Sequence, residues 1–275
     1  MKKFLLLFVS IALLTSCENS ETLPVNEENN LVQKINQSAK TFQKKSETYS
    51  TYGNKKPIDR NKAIKLGIAD AIGGLISSGA GPYGTLWGGF LSTLTVEPYL
   101  RTSKKISSEN EEIELPVDNN ELFIYGHFGK NHNVLMKNAI DNNIKANIIN
   151  NSLESELRNY MLSNNFYDEE DISLAFIQNE NNLVNIISKA NENSVMDNFN
   201  HENFMNSFRL NAFQKEIVNT INGNLNTIED SNISAYLLSV QNIISNDNTL
   251  TPEDKKSILI YIAILNSSTM LWLNN

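Results

Sequence analysis

Near its C-terminus the chain reads "TLTPEDKKSILIYIAILNSSTMLW", and this stretch constrains the fold more than any other. Thr251 is a good N-cap. Pro252 fits the first helical position, where its missing N–H costs nothing, and Glu253 and Asp254 complement the positive end of the helix dipole. The helix so begun carries Ile258, Ile260, Ile262, Ala263 and Leu265 around most of its girth. A helix apolar nearly all round is a central, buried one.

The other periodicities are helical too. Leu31, Ile35, Ala39 and Phe42 recur at helical spacing, as do Ile64, Ile68, Ala71/Ile72 and Leu75/Ile76 after a cap at Asp59. Further helices are expected near 152–163, 169–178, 203–222 and 228–245. "ELFIYGHFG" reads as a short extended segment, with a helix starting between Lys130 and Asn133. Alternating apolar runs and Asn-Gly hairpin turns are missing. The expected fold is mainly α: a multi-helix, bundle-like domain with a glycine-rich N-terminal helical hairpin.

That hairpin is "DAIGGLISSGAGPYGTLWGGF", Asp70 to Phe90, which holds seven of the chain's twelve glycines and is followed by no charge until Glu97. The uncharged run is long enough to cross a bilayer. However, "SSGAGPYG" places helix-breaking Gly and Pro at its centre, so it reads as two short arms around a loop. Gly73, Gly74, Gly88 and Gly89 are the packing glycines that would let the arms approach closely.

The N-terminus carries an address. "MKKFLLLFVSIALLTSC" has a basic start, an apolar run from Phe4 to Leu14 too short to span, then small residues. Cys17, the single cysteine, stands directly after that run. Leu14-Thr15-Ser16-Cys17 resembles the lipobox of bacterial lipoproteins. The resemblance implies a signal peptide at 1–16, removal of it, and diacylglyceryl and further acyl (palmitate-type) chains on Cys17. Two or more chains anchor stably where one is marginal. Residues 17–30 then read as a polar, lipidated tether, 31–100 as the helical segment with the hairpin, 101–120 as a loop and 121–275 as a helical domain. The formal charge of −8 becomes more negative once Lys2 and Lys3 leave, which disfavours nucleic acid and anionic head groups as partners. The expected location is the cell envelope, on the outer membrane, facing the periplasm or the surface.

Motifs for chemistry are sparse. His127 and His132 in "GHFGKNHN", with Asn133, form a candidate binding loop. On one helix their i,i+5 spacing would turn the two rings about 140° apart, whereas a loop would let them converge; a zinc site needs further ligands. "HENFM" lacks the second His of HExxH. No nucleophile elbow or phosphate loop is present, and "DEED" (Asp168–Asp171) reads as a helix's first turn. No catalytic residue, metal ligand or cofactor is assigned. Gly129, His132 and Asn133, with Asp70, Ala71, Gly73 and Gly74 upstream and Ser268 and Trp272 downstream, resemble a pattern in helical proteins of the Bacteroidota: a Gly-x-x-His-Asn element, an Asp-Ala-Ile-Gly-Gly-like stretch and a Ser-containing final helix ending near a Trp. That resemblance implies no activity.

The expected function is that of a lipid-anchored envelope protein with a binding or accessory role toward a protein or small molecule of unread identity. A membrane-active antibacterial effector using the glycine-rich hairpin is the alternative, and a metal-dependent hydrolase using His127 and His132 a more distant one.

Overall fold

A computed structural model describes residues 25–43, 60–77, 120–141, 201–206 and 210–274. Cys17, Gly88, Gly89, the loop of the glycine hairpin, the segment 101–119 and the helices expected at 152–163 and 169–178 lie outside these residues. Seven α-helices are described: α1 (Val25–Phe42), α2 (Arg60–Ser77), α3 (Gly126–Asp141), α4 (His201–Asn206), α5 (Ala212–Leu225), α6 (Ile233–Ser245) and α7 (Pro252–Asn274). Short 3-10 turns occupy Asn120–Leu122 and Asp230–Asn232. The described residues contain no strand, only an isolated bridge from Gln43 to Ile228. The fold is mainly α, as its periodicity requires.

The last helix is central. Every residue of α7 from Ile258 to Thr269 is buried, as are Leu271 and Trp272. Its start follows the cap chemistry: the Asp254 amide donates to Thr251 Oγ1 at 3.1 Å. Among the described helices, α7 alone is long and apolar enough to cross a membrane, and 78% of that apolar stretch is buried inside the protein. Its most extensive packing is against α2, then α3 and α6. Around it lies one continuous core to which α1, α2, α3, α5 and α6 all contribute. Helix α2 is itself buried well beyond one stripe: Ala63, Leu66, Ala69 and Ala71 are inside together with Ile64, Ile68, Ile72 and Leu75. Gly73 and Gly74 are buried on it.

The helix expected over 228–245 starts only at Ile233, after the Asp230–Asn232 turn, and four other boundaries differ from the sequence reading. Val25 to Asn30, read as tether, already belong to α1. "ELFIYGHFG" is not extended. It forms a 3-10 turn and the start of α3, because the Gln241 carboxamide serves its backbone from both sides: Ile124 N–H donates to Oε1 at 2.8 Å and Nε2 donates to the Leu122 carbonyl at 3.3 Å. Helix α3 therefore starts at Gly126, ahead of Lys130. The single helix expected over 203–222 is interrupted at Leu210–Asn211. Asn211 and Gln214 form a reciprocal capping box that starts α5 afresh.

Arg60 ties the start of α2 to the end of α5. Its Nη2 donates to the Leu225 carbonyl at 3.0 Å and to that of Ile228, and its Nε pairs with Asp230. A cation there offsets the negative end of the α5 dipole.

Candidate functional site

Three consecutive small polar residues, Ser267, Ser268 and Thr269, interrupt the apolar girth of α7 and are fully buried. Two other helices cross α7 at this point, each bringing a glycine followed three residues later by a polar side chain. On α2 these are Gly67 and Asp70; on α3 they are Gly129 and His132. Residues at i and i+3 share a helix face, so each glycine lets the backbones approach while the next turn delivers the polar group. The approach is tight. A Cβ on Gly67 would meet Thr269, 3.0 Å from its backbone nitrogen, and one on Gly129 would meet the Ser267 side chain and lie 2.6 Å from the Ala263 carbonyl.

Asp70 is the centre. Its side chain is 0% exposed, and Oδ2 accepts from the Ser268 hydroxyl and, at 3.5 Å, from the Trp272 indole N–H. His132, equally buried, brings Nε2 to 3.5 Å from the same oxygen. The Asn133 carboxamide fixes the ring: its Nδ2 donates to the Ser267 carbonyl at 2.8 Å, which turns Oδ1 toward His132 Nδ1 at 3.2 Å. That assignment makes Nδ1 the N–H toward Asn133.

An Asp, a His and a Ser in one cluster invite comparison with a nucleophilic triad, and the connectivity is different. In a triad the hydroxyl bonds to the imidazole, which removes its proton, and the carboxylate orients the imidazole from the far side. Here the Ser268 hydroxyl donates directly to the carboxylate, and hydroxyl and imidazole address the same oxygen. Ser268, Asp70 and His132 are each 0% exposed. The arrangement holds Asp70 in a dry core and gives Oδ2 two donors from α7, Ser268 and Trp272, which is the condition for burying a polar group without prohibitive cost, while the nearby His132 Nε2 makes no hydrogen bond.

The sequence reading is corrected on the histidines. His127 and His132 occupy one helix and not a loop. His132 and Asn133 face the core, while His127 is exposed and stacks on Phe128 at 4.3 Å between ring centres. Partial burial lowers the His127 pKa. The five-residue offset separates the rings, so their convergence on one ion does not occur. What the structure does bring together is the looser pattern of Asp70, Gly129, His132, Asn133, Ser268 and Trp272. Gly67 and Thr269 were not anticipated, although a polar triplet inside an otherwise apolar helix was a visible sign of them.

A second polar contact crosses the core where the Tyr261 hydroxyl donates to Asn222 Oδ1, joining α7 to α5. Burial pushes the Tyr261 pKa up, so it serves as a neutral donor. On the outer side of α5 lies a groove of about 620 Å³ between α1, α4 and α5. Compared with known protein families, with curated proteins and with solved structures, the chain has no significant match.

Proposed function

We propose that this chain is a lipid-anchored envelope protein whose helical domain serves a binding or accessory role. The observation that carries the reading is the placement of the single cysteine, Cys17, directly after an eleven-residue apolar run and the small pair Thr15-Ser16. A thiol on a secreted chain with no partner for a disulfide is a liability unless it is modified, and acylation gives it a use. The buried Asp70 node supports a non-catalytic role for those residues, because its polar atoms are turned on one another and away from solvent. The burial of α7 supports a domain held beside the membrane by its anchor and not by a span.

Cys17→Ser is expected to abolish metabolic fatty-acid labelling and leave the leader uncut. Unchanged labelling and processing would contradict the anchor. The membrane-active alternative requires α2 to leave its bed against α7. Dye release from liposomes at low protein concentration would favour it.

A further inference from the structure

We propose that the groove between α1, α4 and α5 is a binding site for a neutral saccharide chain. This rests on the binding role just proposed but not on the lipid anchor. The groove is built from Asn36 of α1, Glu202 and Asn206 of α4, and a face of α5 carrying Lys215, Asn219 and Gly223. Two of these α5 positions are poor choices for a helix, and they lie one turn apart.

Gly223 sits inside α5, where glycine is, after proline, the least favourable residue. At Gly67 and Gly129 the same choice is explained by a helix packed directly overhead. At Gly223 nothing among the described residues lies within 4 Å of where a Cβ would be, so no packing contact among them accounts for the missing side chain. One turn earlier, the Asn219 carboxamide lines the groove while its Oδ1 is turned out of solvent and accepts no hydrogen bond. A buried acceptor without a donor is a standing cost. Violations of local preference that coincide at one place mark functional sites, and here both fall on the groove floor. A bare stretch of helix backbone lets a ligand lie close. A turn of the Asn219 amide about its broad terminal torsion presents the orphan oxygen to a ligand donor.

The lining selects the ligand class. Carboxamides from Asn36, Asn206, Asn219 and Asn224 offer donors and acceptors together. Asn224 also fixes the α1 wall, since its Nδ2 donates to Asn36 Oδ1 at 2.9 Å. Lys215 stands among Glu202 and Glu216, so an anion meets carboxylates and a cation meets the ammonium. Among the described lining residues the only apolar side chain is that of Ala212, so they offer little to the apolar side chains that give peptide recognition its affinity. A polyhydroxyl chain without net charge uses what is present.

The test is titration of the full-length Cys17→Ser chain with maltohexaose, xylohexaose, mannohexaose and chitohexaose at millimolar concentration, followed by amide chemical shifts and thermal melts. At least one sugar is expected to move the resonances of Asn219, Gly223 and Asn224. Gly223→Gln should weaken that binding by about tenfold or more while raising the melting temperature, because it fills open space and restores helix propensity. Asn219→Ala should weaken it as well without unfolding the chain. No response to any of the four sugars, shifts confined to other surfaces, or unchanged binding in Gly223→Gln would each overturn the proposal. Because lipid plays no part in this measurement, its failure leaves the Cys17 labelling result standing.

Discussion

Asp70→Ala is expected to destabilise the chain by about 2–6 kcal/mol, since each of two buried donors left without an acceptor costs about 1–3 kcal/mol. The loss has a specific origin. Ser268, Trp272 and His132 all address Asp70 Oδ2 in the core, and alanine leaves two donors and an imidazole with neither water nor carboxylate. For a domain of this size each kcal/mol moves the melting temperature by roughly 2–4 °C, so a fall of about 10 °C should be seen in a thermal melt, with a matching drop in the urea midpoint. Asp70→Asn should cost less than Asp70→Ala, since the amide oxygen still accepts from Ser268. A melting temperature unchanged by Asp70→Ala would mean that the node carries none of the stability assigned to it.

Gly129→Ala is expected to cost about 1–3 kcal/mol by overpacking, although alanine is the better helix former by about 1 kcal/mol. The new methyl group would lie 2.6 Å from the Ala263 carbonyl, a backbone atom of the central helix that cannot swing away. Gly67→Ala should cost less. There the nearest obstacle is the end of the Thr269 side chain, which can rotate, and its Oγ1 is buried without a hydrogen-bond partner in the native state. Adding Thr269→Ala should therefore recover part of the Gly67→Ala loss and none of the Gly129→Ala loss. Urea denaturation of the four variants checks the order. Equal costs at the two glycines, or a stabilised Gly129→Ala, would contradict the close crossing of α3 over α7.

The helical fold was legible because it rests on periodicity and caps. Thr251, Pro252 and the apolar girth of Ile258 to Leu265 locate α7 and its central position without structural knowledge. The start of α3 was illegible for a physical reason. Gly126 and Gly129 look like turn residues by intrinsic preference, and only the backbone of α7 lying against Gly129 makes glycine the right residue in a helix. The 122–124 turn was hidden for a similar reason, since its partner, Gln241, is more than a hundred residues away along the chain. The node was half legible. Asp70, His132, Asn133, Ser268 and Trp272 belong to a pattern that could be seen in the sequence, but spacing could not reveal that they meet around the same crossing or that His127 points elsewhere. Gly73 and Gly74 are buried on α2, but the arm they are expected to pack against lies outside the described residues, and the glycines with close contacts to another helix among the described residues are Gly67 and Gly129.

The central claim is that the buried Asp70 carboxylate ties α2 to the core helix. Its most direct test is a double-mutant cycle on Asp70 and Ser268, with Asp70→Ala, Ser268→Ala and the double variant compared by urea denaturation. Residues joined in one buried network couple by about 0.5–3 kcal/mol, while independent sites add. The expected result is that the double variant loses clearly less than the sum of the single variants, because either change alone already breaks the Ser268–Asp70 bond. Strictly additive losses, or single losses near zero, would show that the two side chains do not act together and that the node is not what holds these helices.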